Sequence, residues 1–121
     1  MQTLLVAVDN SDIARKVTLR AVEQANALAA QVVVICCIDA SYADTTATSV
    51  IEAGEDPGDF GSALDEQNTA EAVVRRALSV LRRAGVTASG RVIAGEAAES
   101  IVASANEIGA AMIICISSDL I

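Results

Sequence analysis

The sequence predicts an α/β domain built on an open, doubly wound, mainly parallel sheet. Three observations carry that expectation: short apolar runs rich in β-branched residues, amphipathic helical patterns between them, and strict alternation of the two along the chain. Strands covered by helices on both faces read as near-continuous apolar runs, and parallel strands are joined by right-handed helical crossovers.

The strand segments are 4–8 (LLVAV), 32–38 (VVVICCI), 86–93 (VTASGRVI) and 111–116 (AMIICI). In the third, Thr87, Ser89 and Arg91 alternate imperfectly with Val86, Ala88 and Val92, and Gly90 interrupts them, which predicts an edge strand. The first helical pattern, 12–30, carries the stripe Ala14, Val17, Ala21, Ala25, Leu28, with Arg15, Lys16, Arg20 and Glu23 off it and Ser11 placed to cap its start. A second pattern, 64–84, repeats the spacing at Ala70, Val73, Ala77, Leu81 and Ala84. Its Arg75, Arg76, Arg82 and Arg83 lie off the stripe, and Gly85 marks its stop. The third, 97–108, has Ala98, Ile101, Val102, Ala105 and Ile108, then Gly109. The order β-α-β-α-β-α-β fits one domain over 1–121. Only 40–61 is irregular, with Asp44, Glu52, Glu55, Asp56 and Asp59 around Pro57; it reads as a solvated connection, with a lid or partner surface as the alternative.

Composition narrows the function. A net charge of −8 repels nucleic-acid backbones and anionic membrane surfaces, and the only aromatic rings, Tyr42 and Phe60, offer little on which bases could stack. No apolar run approaches the roughly 20 residues of a membrane span, and no basic leader precedes the first strand, so the expected compartment is the cytoplasm. Cys36, Cys37 and Cys115 sit inside apolar runs without metal-ligand spacing, which predicts reduced thiols, with Cys36 and Cys37 on opposite faces of their strand.

In open parallel sheets ligands bind beyond the carboxyl ends of the strands. The residues there are Asp9, Asn10 and Ser11 after the first strand, Asp39 after the second, Gly95 and Glu96 after the third, and Ser117, Ser118 and Asp119 after the fourth. The Asp9–Asn10–Ser11 turn opens a helix, where free N–H groups favour an anion, although such polar turns also serve as simple caps. A phospho-accepting receiver needs a lysine after a strand, but Lys16 lies in the first helical pattern. A nucleotide-dependent ligase needs a glycine-rich loop where Asp9–Asn10–Ser11–Asp12 has no glycine. With no histidine in the chain, Ser117 and Ser118 lack the commonest activating base, and no enzyme activity is expected.

Leu4–Leu5–Val6–Ala7–Val8–Asp9–Asn10–Ser11 resembles the opening strand and aspartate turn of universal stress proteins. Cys37–Ile38–Asp39, Arg82–Arg83–Ala84–Gly85–Val86, Gly95–Glu96–Ala97–Ala98–Glu99–Ser100–Ile101 and Glu107–Ile108–Gly109–Ala110–Ala111–Met112–Ile113–Ile114 follow in the family's order, so the resemblance covers essentially the whole chain.

The resemblance implies a Rossmann-like sheet of the adenine nucleotide alpha-hydrolase type, with strand order 3-2-1-4 and the usual fifth strand absent. In nucleotide-binding members the aspartate turn and the end of the second strand hold adenosine, places that Asp9, Ser11 and Ile38 occupy here. The family's phosphate motif, G-x2-G-x9-G-[ST], would put its first glycines at Ile116 and Asp119. A β-branched side chain blocks the close approach of backbone to phosphate and a carboxylate repels it, so no cofactor and no tight ATP binding are expected.

The expected function is therefore a stress-response or regulatory protein acting through oligomerisation and partner binding; the alternative is ATP or AMP binding with weak hydrolysis, completed by a partner subunit or further residues. The right-handed crossover rule places the first two helices on one face and the third alone on the other. Burying about 300 Å² of bare apolar surface is worth about 7 kcal/mol before association terms, at roughly 25 cal/mol per Å², which predicts a homodimer.

Overall fold

The computed structural model describes residues 1–9, 13–38, 48–51 and 65–115. Along the chain run β1 (Thr3–Val8), α1 (Ile13–Leu28), β2 (Gln31–Ile38), β3 (Thr48–Ile51), α2 (Asp65–Arg83), β4 (Ala88–Ala94), α3 (Ala97–Ile108) and β5 (Met112–Cys115). They form one sheet in the order β3-β4-β2-β1-β5.

The four strands expected from sequence are parallel and stand in the expected order. β1 lies between β2 and β5, in registers that set Thr3 opposite Gln31 and Leu4 opposite Met112. β2 continues onto β4, with Val32 opposite Ala88 and Ile38 opposite Ala94. Doubly wound sheets of this kind are built from crossovers of a single hand, and the helices obey it: α1 and α2 cover one face and α3 the other.

One expectation is overturned. β4 is not an edge strand, because Thr48–Ile51 pairs with it antiparallel, Ile51 opposite Gly90 and Thr48 opposite Ile93. The sequence TSVI has the β-forming residue types, but a run of four inside an acidic connection carries too little periodicity to stand out. The remainder of the predicted 40–61 connection lies outside the described residues.

The core is divided by the sheet. On the α1–α2 side Leu4, Val6, Val32 and Val34 meet Ala21 and Ala25 of α1 and Val74, Leu78 and Leu81 of α2. On the other side Leu5, Ala7, Val33 and Ile35 meet Ile101, Ala105 and Ile108 of α3. Alanines in α1 allow that helix close to the sheet, which suits a chain almost without aromatic bulk. The predicted stripes hold in part: Leu28, Ala84, Ala98 and Val102 are exposed, while Thr18 is buried and returns its hydroxyl hydrogen bond to the Ala14 carbonyl at 2.8 Å. An α-helix turning 100° per residue carries a three-or-four spacing off the contact line within a few turns.

All three described helices are followed by left-handed backbone. Gly85 and Gly109 adopt it at φ 83° and 65°, and α1 uses Ala29, at φ 53°. Behind Ala29 the chain re-enters the sheet through the Ala30 N–H, which donates to the Ala25 carbonyl at 2.9 Å.

Candidate functional site

The carboxyl ends of β1, β2 and β5 meet where the order of winding reverses, β1 leading into one face and β4 into the other. Asp9, the residue just past β1, is exposed there. It stands between two depressions. One, of about 510 Å³, lies on the α1–α2 face and is bordered by Val8, Asp9 and residues of both helices; the other, of about 130 Å³, lies on the α3 face among Ala7, Asp9, Cys37, Ile101 and Cys115.

On the α3 face the turn after β4 is built tightly. The Gly95 N–H donates to the Ile38 carbonyl at 2.9 Å, joining the end of β2 to the start of α3. Gly95 has φ 152°, and a Cβ there would stand 3.0 Å from the Ser100 hydroxyl. Next, Glu96 caps α3: its carboxylate accepts from the Ala98 N–H, at 2.9 Å through Oε2. Such a capping carboxylate supplies acceptors for N–H groups that have no partner inside the helix and complements the helix dipole.

Beside this cap is Cys37. Its half-buried thiol is pushed above its ordinary pKa by burial first, with the Glu96 charge adding to the shift and a hydrogen bond with Ser100 opposing it. The thiol is thus held protonated, the reverse of an activated nucleophile. Cys36 faces the α1–α2 core, as the alternation of strand side chains requires, and none of the three cysteines forms a disulfide.

The sequence-derived candidates divide accordingly. Asp9 is at the site and open to solvent; Ile38 is buried, with its carbonyl engaged by Gly95. Gly95 and Glu96 prove to be the turn and cap of α3, with the added role of setting the electrostatics around Cys37. Asn10, Ser11, Asp39, Ile116, Ser117, Ser118 and Asp119 lie outside the described residues. Among the described residues no group of three or more His, Cys, Asp or Glu side chains is placed to hold a metal ion, and no helix is long and apolar enough to cross a membrane.

Two groupings escaped the sequence reading. The Cys37–Ser100–Glu96 cluster joins a strand to a helix far along the chain, and only the register of β2 on β4 brings them together. The arginines bordering the larger cleft, Arg15, Arg76 and Arg83, come from two helices. Their one legible signal is the seven-residue spacing of Arg76 and Arg83, two turns on one helix face.

Comparison with known proteins follows the same lines. The model of the universal stress protein family matches residues 1–120. Among solved structures, a universal stress family protein from Burkholderia pseudomallei superposes with a TM-score of 0.71 at 25% identity, over 94% of this chain and 80% of that one. A universal stress protein from Archaeoglobus fulgidus gives 0.67 at 22% identity, covering 95% of this chain and 75% of that one. A universal stress protein in complex with cAMP gives 0.64 at 22%, covering 93% and 69%. A universal stress protein from Archaeoglobus fulgidus in complex with dAMP gives 0.69 at 22%, covering 95% and 80%. No curated protein matches the sequence. A family match along almost the entire chain, on a sheet whose four parallel strands take the expected order, leads to one conclusion: the chain belongs to the universal stress protein family.

Proposed function

We propose that this chain is a non-enzymatic stress-response module that acts by self-association and partner binding. The observation that carries the reading is the β5 side of the sheet. Among the described residues β5 pairs only with β1, and its Met112 and Ile113 are 36% and 43% exposed, one on each face of the sheet. An open apolar strand edge is a template for a second strand. The opposite side is blunted by a short antiparallel strand, β3, and the protonated state of Cys37 speaks against a thiol nucleophile. Soluble action in the cytoplasm is consistent with this reading.

Sedimentation velocity at micromolar concentration tests it. The full chain should sediment as a dimer, and Ile113→Lys should shift it to monomer without loss of helical circular dichroism. A sharp monomer boundary for the unmodified chain overturns the reading.

A second reading is favoured by Asp9, which is exposed at the mouth of two clefts, and by the cAMP and dAMP complexes of structural relatives. In it the module senses an adenine nucleotide, with Asp9, Ser11 and Ile38 at the nucleoside and with Ile116 and Asp119 weakening the grip on phosphate. Calorimetric titration with cAMP, AMP and ATP, with Asp9→Ala as control, decides between the two. Saturable binding lost in the variant favours the second reading, and its absence below about 1 mM removes it.

A further inference from the structure

The larger cleft, on the α1–α2 face, has a charge pattern that the chain's overall acidity does not foreshadow. The sequence holds eight basic residues against sixteen acidic ones. Four of the arginines are engaged: Arg20 with Glu23, Arg75 with Glu71, Arg91 with Glu107, and Arg82 with the Ala88 carbonyl at 2.8 Å. Arg15, Arg76 and Arg83 form no ion pair among the described residues, and these three border the cleft of about 510 Å³.

The two on α2 have no acidic neighbour at helical spacing. The positions three and four residues away from Arg76 are Ala72, Val73, Ser79 and Val80, and those around Arg83 are Ser79, Val80, Val86 and Thr87, none acidic. Both side chains are exposed, so each is free to swing over the cleft, whose floor is the apolar row Val73, Ala77 and Val80. Arg15 reaches the cleft from α1. Three guanidinium groups bordering one concavity offer an anion several charge-assisted donors at once. Their planar donor forks match phosphate oxygens two at a time.

We infer that the groove between α1 and α2 binds a small, multiply charged phosphate-class anion through Arg15, Arg76 and Arg83. The cleft's volume falls within the range of small-molecule sites. Asp9, at its rim, excludes a phosphate from that end and leaves its carboxylate to accept from a hydroxyl of an organic phosphate. This site goes beyond the self-association reading. It shares Asp9 with the adenosine places of the nucleotide reading, but not Ser11 or Ile38.

The test is calorimetric titration of the full chain at low ionic strength with pyrophosphate, inorganic phosphate and, separately, adenosine. Pyrophosphate should bind saturably, more tightly than phosphate, and the affinity should fall as salt is raised. Arg15→Gln should weaken it about tenfold and the double variant Arg76→Gln/Arg83→Gln about a hundredfold. Lys16→Gln, on the same helix but not bordering the cleft, should change it less than threefold by screening alone. No saturable binding of pyrophosphate below about 10 mM overturns the inference, as does equal weakening by Lys16→Gln and Arg15→Gln. Adenosine binding without pyrophosphate binding favours the nucleotide reading and overturns this one. Pyrophosphate binding without adenosine binding does the reverse.

Discussion

Gly90 of β4 lies directly beneath Val74 of α2: a methyl group on the glycine would collide with Cγ1 of Val74 and stand 3.2 Å from Cδ1 of Leu78. Both hydrophobic partners are fully buried. The helix therefore rests on bare backbone at this point. Gly90→Ala should lower stability by about 1–3 kcal/mol through overpacking, read as a drop in the urea midpoint at constant slope. An unchanged midpoint would mean that α2 can lift from the sheet without loss.

Ala29 presents the opposite case. It closes α1 in the left-handed region at φ 53°, where its Cβ is unfavourable and a glycine is not. Since Ala29 is exposed, Ala29→Gly should raise stability by about 0.5–1 kcal/mol. A rise in melting temperature of the variant checks it, and a fall would show that the greater freedom of glycine in the unfolded chain outweighs the strain.

Arg91 crosses from β4 to the last turn of α3, its guanidinium donating to Glu107 at 2.7 Å. The Arg91 side chain is 28% exposed but that of Glu107 is 69% exposed, so solvent screens the pair. Either single substitution to alanine should cost about 0.2–1 kcal/mol, and a double-mutant cycle should give a coupling that shrinks in high salt. A salt-independent coupling would contradict a screened pair.

The Cys37 thiol should resist alkylation. With its pKa raised chiefly by burial, the rate of reaction with iodoacetamide should climb at a higher pH than for free cysteine. Glu96→Gln removes a charge that raises the pKa and should move the profile to lower pH, whereas Ser100→Ala removes a hydrogen bond that lowers it and should move the profile higher. The linkage to stability follows from the sign. A thiol whose folded-state pKa is raised contributes stability that is present below its unfolded pKa and lost as pH rises through the folded one. The chain should thus weaken on the alkaline side, and less so in Cys37→Ala. Identical profiles for the unmodified chain and Ser100→Ala would refute the hydrogen bond's part.

How far the sequence discloses this molecule depends on the range of the signal. The helical stripe at Val17, Ala21 and Ala25 and the apolar run at 32–38 are local patterns, and both produced the elements they announce. Gly90 looked like a defect in a weak strand because its reason for existing, Val74, lies sixteen residues earlier on another element. β3 was hidden for a related cause, since Thr48–Ile51 is held by pairing with β4 rather than by a pattern of its own. The site was legible only in part. Asp9 follows from the rule that ligands meet the carboxyl ends of strands, but Cys37 with Ser100, and Arg15 with Arg76 and Arg83, are juxtapositions made by the winding of the chain.

The division of the core by the sheet has a kinetic side. Among the described residues twenty buried side chains form the cluster shared with α1 and α2, and four form the one beneath α3. Among the described residues β5 is four residues long and pairs in the sheet with β1 alone. Such a unit can detach while the rest stays folded, since cooperative opening follows local burial. Amide hydrogens of α3 and β5 should then exchange through a lower-energy event than those of β1 and β2. Each opening would bare the flank of β1, a vacancy shaped for another molecule's β5, so that two chains could trade α3 and β5 and become interlocked.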